Sequence, residues 1–375
     1  MSVTRPQSVR ARIGFWNMAS SATMNPNGPE ARTRRRSGLT ALALTCAIIL
    51  SGCGVRLETP PPTEPVPDAV EVVRRTAVAD ALLVADQADA AAAAKGARAD
   101  VVVELRRISD AATEQAQQLG GEYDSGLGDI VAERSGASPS ASTPEHTPRA
   151  VVTSLVDAAT RTRAAANQAQ LGPLGRLLAS ISASQTRYAS DLAQLTGAPD
   201  PEPPPTQIPE PAEPSTEPSE GNEASATPAL ASADPAVVPT GLSAEDLNAL
   251  VLAEDTAGYA LEVRAAKADG DVRSRAYERA RLHRTRAQGW AQVAGIDSTD
   301  QDPRRVAYTV PGSGTSTQDL ARDLEDDLAQ NYASLAGVAE PGTRAILVAL
   351  LTEANLASAA WGAPAIPFPG LPEQT

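Results

Sequence analysis

Aromatic side chains are scarce in this chain: two Phe, three Trp and six Tyr in 375 residues. Any core must therefore be built from alanine, leucine and valine, without the large payload that aromatic rings bring. Histidine occurs only at 146 and 283, and cysteine only at 46 and 53. No Ser-His-Asp order and no cluster with a second histidine can be assembled from so few. The residues three places before the histidines are Thr143 and Ala280, so no Glu-x-x-His pair exists. Lysine is confined to Lys95 and Lys267 among 32 basic residues, the bias that a high-GC genome imposes. Phosphate-cradling glycine loops are missing too. The stretch PGSGTS at 311–316 precedes no basic residue and reads as a plain loop.

What is present begins with Arg32, Arg34, Arg35 and Arg36, followed by twelve uncharged residues at 39–50. That run falls short of the roughly 20 apolar residues that span a bilayer. It has no amphipathic period, but it suits the core of a secretion signal. It closes on Leu50, Ser51, Gly52 and Cys53. This resembles the bacterial lipobox, whose cysteine receives diacylglycerol before the chain is cut in front of it. Small residues at 51 and 52 fit a peptidase that grips an extended backbone. Residues 1–52 are thus expected to be an N-terminal extension and lipoprotein signal peptide. Cys46 would leave with the signal and Cys53 would be acylated, so no disulfide and no cysteine-based metal site remains.

Charge narrows the partners. Residues 1–52 hold seven Arg against one Glu, +6 of a whole-chain −14, which leaves 53–375 at −20. Phosphate backbones repel such a surface, so nucleic acid is not expected as a partner. The acyl chains on Cys53 are the expected membrane contact, on the extracytoplasmic face of the cell membrane.

Two proline-rich stretches divide the remainder. Residues 53–67 read as a short lipidated tether. Residues 198–240 contain twelve prolines and eight acids with no base, the composition of a disordered, extended linker. The flanking segments, 68–197 and 241–362, each read as four helices, with 363–375 as a tail. Ser243 and Asp246, Ser316 and Asp319, and Asp68 and Glu71 have the spacing of helix N-caps, and Pro148, Pro173 and Pro341 stand near helix starts. In each segment the loops run short, long, short. About twenty extended residues reach roughly 65 Å, enough to run along a 24-residue helix of about 36 Å. Such a long middle connection distinguishes a ferritin-like bundle from an up-and-down one. The fold class is therefore all-α, with two helical bundles joined by a linker that should let 241–375 fold alone. A 168-residue offset aligns DALLVAD at 80–86 with NALVLAE at 248–254, and RLLASISASQ at 176–185 with RAILVALLTE at 344–353, a sign of internal duplication.

The stretches LNALVLAEDTAGYALEV, ARLHRTRAQGWAQVAG and DLARDLEDDLAQNYASL, behind a lipobox, resemble actinobacterial lipoproteins carrying a ferritin-like domain of unknown function. The resemblance covers about residues 242–362. It implies a four-helix ferritin-like bundle and no assigned activity. Helical periodicity in that region turns one polar residue of each helix inward: Glu254, His283, Glu325 and Glu353. These are the metal-ligand candidates. The competing reading is a structural Glu–His–Glu cluster satisfied by hydrogen bonds and by Arg284 or Arg344, since buried charges demand partners whatever their role. In the other half Gln185 stands for Glu353, and an apolar residue near Ile108 for His283. No catalytic residue and no cofactor is expected. The expected function is a non-enzymatic binding or scaffolding module of the envelope, its partner an envelope protein or a small ligand. The alternative is a metal-handling or redox protein using iron, manganese or zinc.

Overall fold

The computed structural model describes residues 66–124, 146–210, 237–312 and 314–374, all within one compact unit, Pro62–Thr375. The expected signal and lipobox, most of the tether and the middle of the linker lie outside the described residues.

Among the described residues there are eight α-helices and no strand. They are α1 (Ala69–Ala92), α2 (Ala99–Gln118), α3 (Pro148–Gln168), α4 (Gly172–Thr196), α5 (Ala244–Ala265), α6 (Gly270–Val293), α7 (Thr317–Val338) and α8 (Ala345–Ala360). The caps are those the sequence predicts. Asp68 accepts the N–H of Glu71 at 2.8 Å, Ser316 that of Asp319 at 3.0 Å, and Ser243 and Asp246 form a reciprocal capping box. α8 starts later than Pro341 suggests, because another helix caps it. The N–H groups of Gly342 and Arg344 donate to the backbone and side-chain oxygens of Asn167, at 2.6 and 2.8 Å.

α1 packs on α2 and α3, and α4 on the same two. α5 packs on α6 and α7, and α8 on α7. Each half thus pairs its first and third helices, as a bundle with one long crossover does. In the second half the crossover is tied down. Tyr308 donates to Asp255 at 2.6 Å, and Arg264 donates to the carbonyls of Pro311 and Gly312 at 2.9 and 2.8 Å.

The halves are not separate. One hydrophobic cluster joins Val78 of α1, Leu178 and Ile181 of α4, Leu250 of α5, Trp290 of α6 and Leu350 of α8. α4 packs on α7 and α8, and α8 packs on α3 and α4, so the halves meet as two protomers of a two-fold dimer would. α4 is buried on all sides over 178–189, and α8 over 346–352. Linker composition reports what 198–240 can bury, and says nothing about the faces of the helices on either side.

Both flexible-looking segments are also used. Phe368 and Leu371 of the expected tail are buried, and four side chains of the first half hold its backbone. Gln115, Ser180, Ser184 and Arg187 donate to the carbonyls of Pro367, Pro369, Ile366 and Ala363 at 3.1, 2.8, 2.9 and 3.1 Å. Gly370 has φ +78°, and a Cβ there would sit 2.6 Å from the carbonyl oxygen of Ala329. At the start of the linker Pro204 is buried and Ile208 lies against Gly289 of α6.

A shared core should melt as one unit. The full chain is expected to give a single cooperative transition, and the fragment 241–375 no stable fold, by circular dichroism. Gly172→Ala would drive a Cβ into the carbonyl oxygen of Gly337 where α4 meets α7. Overpacking of this kind costs about 1–3 kcal/mol. Gly312→Ala, where a Cβ meets nothing within 4 Å, should be neutral. Two resolved transitions would show that the halves are independent.

Candidate functional site

Three of the four polar residues that helical periodicity turns inward meet directly, and the fourth, Glu353, joins them through Arg279. Glu254 comes from α5, His283 from α6, Glu325 from α7 and Glu353 from α8. His283 Nδ1 is 2.6 Å from Glu254 Oε2, and its Nε2 is 3.3 Å from Glu325 Oε1. Those three side chains have no exposed surface, whereas Glu353 is 21% exposed. The site therefore has a buried end and an end near solvent.

Three further residues complete it. Arg279 and Arg286 flank His283 at i−4 and i+3, so α6 presents all three from one face. Tyr332, seven residues after Glu325, lies on the same face of α7. Arg279 donates to both oxygens of Glu325 at 2.5 Å and also bonds Glu353. Arg286 donates to Glu353 at 2.8 Å, and the Tyr332 hydroxyl donates to Glu254. The arginines suggested as partners by the sequence are engaged elsewhere. Arg284 pairs with Asp255, and Arg344 donates to the carbonyls of Ala339 and Ala169 at 2.8 and 2.5 Å. Arg344 thereby closes the C-terminal end of α3, a joint between the halves.

The charges hold one another in place. Burial pushes the Glu325 carboxyl up, but His283 and Arg279 outweigh it and hold its pKa at about 2. Burial likewise opposes charge on His283, yet Glu325 and Glu254 keep its pKa above the ordinary imidazole value. Glu353 is lowered in spite of burial by Arg279 and Arg286. Burial, aided by Glu254, raises the Tyr332 phenol well above its usual value, so it remains a donor. Three carboxylates thus face two guanidinium groups and an imidazolium, and the cluster is neutral when His283 is protonated.

A metal does not fit this arrangement. Every oxygen of Glu254, Glu325 and Glu353 accepts a hydrogen bond or faces the imidazole, and both imidazole nitrogens face carboxylates. Metal ligands need free lone pairs and a deprotonated imidazole. Among the described residues no group of three or more His, Cys, Asp or Glu is placed to hold a metal ion. What the arrangement does chemically is tie four helices together through ion pairs.

At the positions aligned with this network the first half carries buried amides and two exposed acids instead. Gln185, aligned with Glu353, is buried with its Oε1 unpartnered. At the 168-residue offset the residue opposite His283 is Gln115 rather than an apolar one near Ile108. Gln115 is buried and donates to Ser184 at 3.1 Å. Ser154 donates to buried Gln87 at 2.6 Å. Asp86 and Asp157, opposite Glu254 and Glu325, are exposed.

Residues 246–373 match the family described as "Domain of unknown function (DUF4439)". The match covers α5 to α8 and also the docked segment up to residue 373, which therefore belongs with the bundle rather than trailing it. No curated protein and no solved structure matches the chain.

Two outcomes follow for stability. Arg279→Leu strips Glu325 of its fork inside the bundle, and breaking a buried pair in this way costs about 3–5 kcal/mol. Urea denaturation of the variant checks it. The pH dependence has two arms. Glu325, depressed from an ordinary 4.5, contributes stability that is lost as pH falls from that value toward about 2. His283, raised above an ordinary 6.5, contributes stability that is complete below that value and lost as pH rises through the folded-state pKa. Stability should peak between those two ordinary values, and His283→Gln should flatten the alkaline arm.

Proposed function

We propose that the chain is a lipid-anchored protein of the extracytoplasmic face of the cell membrane, and that its folded part is a non-enzymatic binding or scaffolding module of the envelope. One observation carries the anchoring: an arginine cluster, a twelve-residue uncharged run and Leu50-Ser51-Gly52-Cys53 occur in the order that export and lipidation require. No helix among the described residues is long and apolar enough to cross a membrane, so in this proposal the attachment falls to Cys53. One acyl chain holds a protein only marginally at a bilayer, while the two of a diacylglyceryl group hold it stably.

The scaffolding part is supported by how the polar interior is spent. Glu254, His283, Glu325 and Glu353 are committed to ion pairs between helices, and the long crossover and the C-terminal segment are each tied down by hydrogen bonds. Groups fixed in this way make a rigid body rather than a reacting centre. With 53–375 at −20, an envelope partner with a basic surface, or a small cationic ligand, has the complementary charge.

Cys53→Ser tests the anchor. The wild type should incorporate a fatty-acid probe, shift to the cleaved size and partition into the detergent phase. The variant should do none of these and should accumulate as the uncleaved precursor. Equal labelling of the two would remove the lipidation reading.

A further inference from the structure

Between α7, α8 and the C-terminal segment lies a cavity of about 260 Å³, and none of the residues lining it belongs to the ion network. Its lining includes Asp326 and Gln330 of α7, Asn355 and Ser358 of α8, and Ile366 and Phe368 of the segment. Asp326 and Gln330, four residues apart, share a face of their helix, and so do Asn355 and Ser358 at a spacing of three. The walls are set before anything enters. Ser184 donates to the carbonyl of Ile366 at 2.9 Å and Ser180 to that of Pro369 at 2.8 Å, which holds the segment in place. Asn355 is 7% exposed and donates through Nδ2 to the carbonyl of Ala183 at 3.1 Å, while its Oδ1 is left without a donor.

The lining calls for positive charge. Asp326 accepts the Ser358 hydroxyl at 2.8 Å and forms no ion pair among the described residues. Partial burial pushes its carboxyl up, the Ser358 bond draws it down, and Asp323, Glu325 and Asp327 push it up again. A cation beside it would relieve that repulsion. A metal ion is the wrong cation, because among the described residues lining the cavity Asp326 is the one carboxylate and no histidine joins it. Ile366 and Phe368 offer an apolar wall in place of further ligands.

We propose that this cavity binds a small organic cation, an alkylammonium ion whose charged head meets Asp326 and the Oδ1 of Asn355 and whose short apolar body lies against Ile366 and Phe368. The proposal rests on the reading of the chain as a binding module, and gives that reading a place and a ligand class. An ammonium group supplies donors only, and both groups that receive it are acceptors. Sites for drug-sized ligands run from about 300 to 1,000 Å³, so this cavity takes something smaller. Walls that are already held keep the ordering cost of binding low. The charge of −20 on residues 53–375 raises the local concentration of cations at the mouth.

The test titrates n-butylammonium, 1-butanol and butyrate into the full chain by calorimetry. The wild type should bind n-butylammonium at least about tenfold more tightly than either of the others, which share its body and differ in charge. Asp326→Asn keeps the shape and the bond from Ser358, so it should melt as the wild type does and lose about tenfold or more in affinity. Asp323→Asn removes the same charge outside the lining and should lose less than about threefold. Gln330→Glu adds a second carboxylate to the lining and should bind n-butylammonium more tightly than the wild type. Equal weakening by Asp326→Asn and Asp323→Asn would overturn the site and leave the binding-module reading standing. No binding to the wild type, or no preference over 1-butanol, would overturn the ligand class and the binding half of that reading with it. A Gln330→Glu variant no tighter than the wild type would also overturn the proposal.

Discussion

Burying a helix on every side is possible only if its neighbours can approach from every direction, and α4 meets that condition with small side chains. Over residues 178–189 it carries Ala179, Ser180, Ser182, Ala183 and Ser184 among a few larger residues, and all of this stretch is buried. α8 comes against it and is itself buried over 346–352. Helix interaxial distance falls with the size of the residues at the contact. A chain with 3% aromatic residues has little bulk with which to hold helices apart. Other features of the fold depend on this contact. The hydroxyls of Ser180 and Ser184, which could not stay unbonded in an apolar joint, donate to carbonyls of the C-terminal segment and so fix its course. Arg344 and Asn167 cap α8 and close α3 across the same joint.

The ion network answers a different packing problem in the same bundle. α6 reaches α8 through long side chains: Arg279 and Arg286 to Glu353, and Arg275 to the carbonyl of Ala360 at 2.6 Å. Arginine stems cover apolar surface while their heads find acids, so they supply volume that aromatic rings supply elsewhere. Burying these charges brings no assured gain over well-packed apolar residues, because desolvation offsets the Coulomb attraction. Its geometric effect is on helix orientation. A fork on α6 that must find Glu325 on α7 and Glu353 on α8 together fixes the rotation of three helices at once.

Much of this was legible in the residues. Caps at Asp68, Ser243 and Ser316 are local chemistry, set by a side chain and an N–H three residues on, so they read correctly without tertiary knowledge. The inward set of Glu254, His283, Glu325 and Glu353 was legible because 3.6-residue periodicity gives direction on a helix. Arg279 and Arg286 were missed for a physical reason. α6 carries Arg273, Arg275, Arg279, Arg281, Arg284 and Arg286, and so many arginines read as a solvated surface. The signal that could have found them is their spacing, since i−4 and i+3 from His283 define its own face, whereas Arg284 lies about 100° away. The joint between the halves was hidden by the linker, although the uncharged run at 178–186 already described a helix with no solvent face. The docked tail held a similar clue in Phe368, one of only two phenylalanines in the chain.

The comparison of the two halves separates what the fold requires from what it merely carries. α1–α4 reach the same pairing of first with third helix as α5–α7 do, and at the positions aligned with the ion network they carry amides bonded to hydroxyls, as Gln115 to Ser184, in place of ion pairs between four helices. Neutral pairs of that kind satisfy buried polar atoms without opposing charges. The bundle topology therefore does not need an ionic interior. Nor does the joint between halves, which rests on apolar contact, backbone carbonyls and the caps at Asn167 and Arg344. The three acids, the histidine and the two arginines of the second half thus orient the helices of that half by ion pairs that the shared topology does not require. They lie wholly within residues 246–373, the part of the chain that the family model matches.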